Sequence, residues 1–235
     1  MENNLYLLIL LLEWVLLVTI AAPMFFAGRF RGAPTLGIYL WLTSLFSSIL
    51  ATVGAFGLAS YSVFTTYQNL QAEDDLGFVL IASFAPWVLL GLAGILIAVG
   101  NQRLAPLFEV SPELGDMESL GGRYIMNYRR ARIVELEIPG YFALTREKTI
   151  YLSKAVFELP SKQLDAVLRH EYGHVKLRHG LIKKLAYLIY QLMPWVVASR
   201  ALKREVDVLC ELAADNYALK KVYSKDLSEA RRLFI

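Results

Sequence analysis

Three long apolar runs, at residues 5–27, 36–60 and 78–100, constrain this chain more than any other feature. Each exceeds the ~20 residues that a helix needs to cross ~30 Å of hydrocarbon. The first is not read as a cleaved leader. Residues 1–4 carry no basic residue, the run is too long for a leader core, and Glu13 interrupts it, so a retained helix is expected. Pro34 and the segment 61–76 supply the breaks between spans. At 56% hydrophobic and 19% charged residues, the chain departs from the ~45–50% and ~25% of soluble domains. A membrane bundle is expected over residues 1–100.

The short loops set an orientation. Arg29 and Arg31 lie between the first two runs, whereas Glu73, Asp74 and Asp75 lie between the second and third with no base beside them. Positive loops stay inside, which places the N-terminus outside and everything after residue 100 in the cytoplasm of a multi-pass cell-membrane protein. The charge is unevenly divided. The first hundred residues hold two arginines against five carboxylates, and the remainder holds the other 22 basic and 16 acidic residues. These are interleaved and carry no nucleic-acid-binding motif, so no such partner is expected. Glu13, near the middle of the first run, is expected to be neutral and hydrogen-bonded to Ser44, Ser47 or Ser48 of the next helix. Its alternative is a proton or ligand site inside the bundle.

Residues 101–131 read as a juxtamembrane linker, with prolines, Gly115, Gly121-Gly122 and mixed charge, to which no fold is assigned. The I-V-E-L-E-I alternation of residues 133–138 predicts a half-buried strand. Pro139-Gly140 makes a turn, residues 141–144 a second strand, 146–148 another turn, and 149–152 a third strand. Pro160-Ser161 opens a helix that Ser161 would cap and Gly180 would close.

That helix carries His170-Glu171-Tyr172-Gly173-His174, an H-E-x-x-H pattern that takes two of the chain's three histidines. Spacing i,i+4 puts both imidazoles on one helical face, converging on a single ion. Glu171 lies about 100° round, able to reach a water without ligating the metal. A single cysteine leaves nitrogen and oxygen as the main ligand atoms.

Zinc needs a third protein ligand and one open position. On a continuous helix His179 would lie about 180° from His170 and point away. Glu211 is the better candidate, in Glu211-Leu212-Ala213-Ala214-Asp215 on a second helix. Small residues there allow close packing, and Asp215, at i,i+4 from Glu211, could accept the second N–H of a zinc-bound histidine. Cys210 would point about 100° away from that face. The apolar segment 181–198 is nearly long enough to span a bilayer. A crossing there would put His174 and Glu211 on opposite sides, so an interfacial or re-entrant helix is expected.

With these residues in view, the run 138–174 resembles the strand–strand–helix lead-in of membrane gluzincin peptidases. Met193-Pro194-Trp195, Arg200, Arg204 and Glu211 to Asp215 look most like the β-lactam-sensor/antirepressor metallopeptidases of the BlaR/MecR kind. The chain is also similar to CAAX prenyl endopeptidases and HtpX-type proteases. The HtpX type usually places a transmembrane hairpin between the two motifs, where this chain has one apolar segment. Residues 1–235 include no penicillin-binding sensor, so β-lactam sensing is not expected. The resemblance implies an α-helical membrane bundle (1–100) and linker (101–131), followed by an α+β gluzincin-type zinc metalloprotease domain (132–235). One Zn2+ would be held by His170, His174 and Glu211, with Glu171 as base and Asp215 behind the ligands. Thr149, Ile150, Tyr151 and Leu152 would pair with substrate backbone as an added strand. The function implied is hydrolysis of a protein or peptide at the cytoplasmic face of the bilayer, in regulated proteolysis or signalling. The alternatives are prenyl-processing or quality-control proteolysis, or a non-catalytic signalling protein with a structural zinc. Tyr217, Tyr223, Arg178 and Arg204 are candidates for stabilising the oxyanion.

Overall fold

A computed structural model of the protein describes residues 2–70 and 122–234. The third apolar run and the acidic loop at Glu73, Asp74 and Asp75 lie outside the described residues, as does all of the expected linker up to residue 121. The chain opens with two helices, α1 (Glu2–Phe26) and α2 (Pro34–Leu70), packed on one another. Their windows Tyr6–Phe26 and Pro34–Ser62 are each long and apolar enough to cross a bilayer. Only 11% of the first window is buried by protein, unlike the core helix of a soluble domain. Gly28, with φ of +72°, ends α1 in a conformation that a side chain would disfavour.

Two expectations are corrected here. No break occurs at residue 61. The stretch after it contains no glycine or proline up to Leu70, and the Thr65 hydroxyl bonds back to the Tyr61 and Ser62 carbonyls, so α2 continues. Glu13 is exposed, on the side of α1 away from α2. Trp14, Val18 and Ala22 form the i,i+4 stripe that meets α2, and the Ser47 hydroxyl takes its hydrogen bond from the Trp14 indole at 3.1 Å. No serine partner holds Glu13 among the described residues.

A four-stranded sheet follows, β1 (Arg123–Tyr128), β2 (Ala131–Leu136), β3 (Ala143–Arg146) and β4 (Thr149–Ser153), in the order β1-β2-β4-β3. The hairpins β1–β2 and β3–β4 are antiparallel, while β2 and β4 run parallel. Strand β1 lies within the expected linker, to which no element was assigned from the sequence. Left-handed Arg129 (φ 56°) and Glu147 (φ 52°) make the two hairpin turns. The I-V-E-L-E-I strand was expected to be half-buried, yet both its faces are covered. Ile133, Ile150 and Leu152 pack toward the helices, and Val134, Leu136 and Tyr151 form a second cluster with Ile138 and Phe142. The Ser153 hydroxyl ties the Pro139-Gly140 turn down by donating to the Gly140 carbonyl and accepting from the Phe142 N–H.

Helices α3 (Lys154–Phe157), α4 (Ser161–Lys176), α5 (His179–Leu192), α6 (Val197–Ala218) and α7 (Ser224–Arg231) complete the described chain, closed by a 3-10 turn (Arg232–Phe234). Pro160, not Ser161, is the N-cap of α4, its carbonyl taking the Gln163 and Leu164 N–H groups. The helix also ends before Gly180. Arg178 takes a left-handed φ of 55° and turns the chain, so that Gly180 falls inside α5. The expected helix 181–198 is therefore two helices. Its break at Met193–Val196 contains Pro194, which cannot donate a helical hydrogen bond. Helices α5 and α6 form a hairpin whose two site-bearing ends meet. Leu202, Val206, Leu209 and Cys210 of α6 join Val18, Ala22, Ile38, Trp41 and Leu45 of the first two helices in one core.

Candidate active site

Helix α4 supplies two imidazoles and α6 a carboxylate. His170 Nε2 lies 3.2 Å from His174 Nε2 and 3.4 Å from Glu211 Oε2, and His174 Nε2 lies 3.6 Å from the same oxygen. Ligand atoms of these three residues all fall within 4.8 Å of one another, the arrangement expected of a shared metal ion. The fit to zinc is close. Bonds of about 2.0–2.1 Å at tetrahedral angles separate ligand atoms by about 3.3–3.4 Å. Two ring nitrogens aimed at each other also need a cation or proton between them, since two lone pairs would repel.

Close approach of α4 and α6 makes this meeting possible. A β-carbon at Gly173 would sit 3.1 Å from the Ala214 α-carbon and 3.3 Å from its carbonyl oxygen. Ala214, one of the small pair that the sequence suggested would allow close packing, lies at this contact.

Behind these three candidate ligands stands a set of hydrogen bonds. His170 Nδ1 donates to Asp215 Oδ1 at 2.9 Å, and Arg231 of α7 donates to the other Asp215 oxygen. Burial would lower the pKa of His170, but the hydrogen bonds to Asp215 and Glu211 outweigh it and hold the ring at about 9. Burial would raise Glu211. Hydrogen bonds from His170, His174 and the Lys183 ammonium, whose Nζ is 2.9 Å from Oε1, hold it well below the usual carboxylate range instead. On His174 the rear nitrogen, Nδ1, lies 2.9 Å from Nδ1 of His179. Burial, with His174 and Lys183 nearby, pushes His179 down to about 3, so the ring is neutral.

Glu171 is buried beside the ligands. The Thr145 hydroxyl, on β3, lies 2.6 Å from its carboxylate Oε2 and 3.1 Å from its backbone carbonyl. Cys210 faces the opposite way, into the core shared with the first two helices, where burial pushes its thiol up to about 12.

Three expectations change. His179 does not point away, because α4 stops and the left-handed Arg178 returns the chain toward His174. Thr149, Ile150, Tyr151 and Leu152 cannot accept a substrate strand. They lie on β4, whose two edges are already paired with β2 and β3. The sheet edge next to α4 is β3. Among the oxyanion candidates, Tyr217 gives its hydroxyl to Arg129 as acceptor and packs on Tyr172, which projects from the far side of α4 from His170. Tyr223 is exposed at the start of α7.

The segment from β2 to the start of α7 holds every part of this arrangement except Arg231. Residues 131–224 match peptidase family M48. The M48 match takes in His170, Glu171, His174, Glu211 and Asp215 and supports a metallopeptidase of the gluzincin type. It stops short of Arg231, so that contact comes from outside the M48 segment. No curated protein matches the chain. Thr145, Lys183 and Arg231 were not singled out from sequence. Each is a lone residue whose partner is brought near only by the fold.

Proposed function

We propose that the chain is an integral-membrane zinc endopeptidase that hydrolyses a protein or peptide substrate at the cytoplasmic face, in regulated proteolysis or signalling. The carrying observation is the convergence of His170, His174 and Glu211 beside a buried Glu171, with Asp215 on the back of the first ligand. A zinc ion held there would supply Lewis acidity, acidifying a water and polarising the scissile carbonyl. Glu171 takes the proton from water and delivers it to the departing amine. Thr145 aims the Glu171 carboxylate, and Lys183, bonded to Glu211 Oε1, leaves Oε2 for the metal. The edge of β3 that is unpaired among the described residues receives substrate backbone as an added strand, placing the peptide along α4. A structural zinc site would have no use for a held base, which favours hydrolysis over a scaffold.

The membrane reading rests on α1 and α2, with residues 78–100 as the third span. The Gly28 N–H between α1 and α2 donates to Glu205 of α6 at 3.0 Å. The peptidase domain therefore shares a side with the Arg29 and Arg31 loop, the cytoplasmic side by the positive-inside rule. The shared core extends ten or so residues from that loop, to Val18 and Leu45, or about 15 Å along the helices. Leu192, Trp195 and Val197 at the α5–α6 elbow are exposed. They fit an elbow dipping into the bilayer from the cytoplasmic side. The Met193–Asp215 resemblance favours the BlaR/MecR type.

Trapping with Glu171→Gln and mass spectrometry tests the reading. One or a few regulatory proteins, released by the native enzyme, are expected. A broad set of misfolded membrane proteins would move the assignment to quality control, and prenylated C-terminal peptides to CAAX-type processing. No peptide hydrolysis by the native protein under any of these conditions would end the endopeptidase proposal.

A further inference from the structure

His179 lies outside the metal cluster, yet it is 1% exposed and its Nδ1 is 2.9 Å from Nδ1 of His174. His174 turns Nε2 toward His170 and Glu211, so Nε2 must keep its lone pair for a metal and the proton must sit on Nδ1. Among the described residues, the acceptor for that N–H is the Nδ1 lone pair of His179. The proton of a neutral His179 then belongs on Nε2, which is buried and has no hydrogen-bond partner among the described residues. Each ring nitrogen of the pair has one assignment.

We propose that His179 is a positioning residue, which fixes the tautomer and ring orientation of His174 as Asp215 does for His170. The inference rests on the zinc reading above and adds a residue to it. Its structural cause is the left-handed turn at Arg178, which ends α4 and starts α5 with His179 against His174. The two histidines are supported unequally. Asp215 is an anion backed by Arg231, and it strengthens the donor power of His170. His179 is a neutral acceptor that orients His174 without adding negative charge to the site. A zinc-binding histidine ordinarily gives its second N–H to a carboxylate, carbonyl or water, and losing that partner typically costs ~10–100-fold in metal affinity or activity.

The test uses the full chain in detergent, with zinc affinity read by chelator competition and ligand geometry by the visible spectrum of the cobalt-substituted protein. His179→Phe keeps a ring and removes the acceptor, and it should weaken zinc binding about 10–100-fold. His179→Gln offers an amide oxygen to the same N–H, and it should recover most of the affinity and the native cobalt spectrum. Should burial of the new ring prevent folding, the native protein answers directly. It has three histidines. Their ring nitrogens can be assigned by 15N NMR of the zinc-loaded, 15N-histidine-labelled chain. Protons on Nδ1 of His174 and Nε2 of His179 are expected. A proton on Nδ1 of His179, or unchanged zinc affinity in a folded His179→Phe, overturns the inference while leaving the zinc site standing. Native protein that binds no zinc overturns both.

Discussion

Gly173 of α4 faces Ala214 of α6 so closely that a β-carbon at 173 would stand 3.1 Å from the Ala214 α-carbon. The neighbours at this contact are backbone, which cannot swing aside as a long side chain can. His170 and His174 lie on one side of the crossing and Glu211 on the other, so crossing distance and ligand spacing are tied together. Gly173→Ala should push the two helices apart, destabilise the protein by ~1–3 kcal/mol and weaken zinc binding. Thermal unfolding and chelator competition measure the two effects. A variant with native zinc affinity would show that the ligands tolerate a wider crossing.

Thr145 reaches the proposed base from the sheet edge, its hydroxyl 2.6 Å from the Glu171 carboxylate. Thr145→Val keeps the shape and the β-branched strand preference but removes that donor. A hydrogen bond to a charged group contributes about 1.5–3 kcal/mol, so kcat/KM should fall about ten- to a hundredfold, with zinc content unchanged. Steady-state cleavage alongside elemental analysis separates the two readouts. Loss of zinc would mean that Thr145 supports α4 as a whole rather than the base.

The Gly28–Glu205 hydrogen bond joins the first loop to α6, and the proposed orientation puts both on the cytoplasmic side. A reporter fused after Ile235 should be cytoplasmic, and one inserted at Asp74 external. Reporter activity in intact cells decides. An external C-terminus would contradict the orientation.

Trp195 and Val197 are exposed at the α5–α6 elbow, beside helices whose outer surfaces are apolar. Spin labels at 192 and 197 should be more accessible to oxygen than to a water-soluble nickel complex, as lipid-facing positions are, while one at exposed Lys225 should show the reverse. Equal accessibility to the nickel complex at both sites would place the elbow in water.

The clustering of His170, His174 and Glu211 was legible because a helix converts spacing into direction. His170 and His174 at i,i+4 must share a face, and Ala213-Ala214 announces a helix that another can approach. His179 was misplaced by the same rule, since the rule assumes a continuous helix. No glycine or proline marks the stop at Arg178. The added-strand assignment failed for a different reason. Residues 149–152 do form a strand, but whether a strand lies inside or at an edge is decided by pairing with β2, thirteen or more residues earlier in the chain. Glu13 was expected to turn inward because a buried partner would lower its cost in hydrocarbon. The contact stripe at Trp14, Val18 and Ala22 faces it outward instead.

Zinc content and proteolysis measured together on purified, detergent-solubilised variants test the central claim most directly. Glu171 is assigned to water rather than metal, so Glu171→Gln should retain about one zinc per chain and lose cleavage. Glu211→Ala should lose both, because two imidazoles alone hold zinc weakly. Full cleavage by Glu171→Gln, or full zinc in Glu211→Ala, would contradict the account.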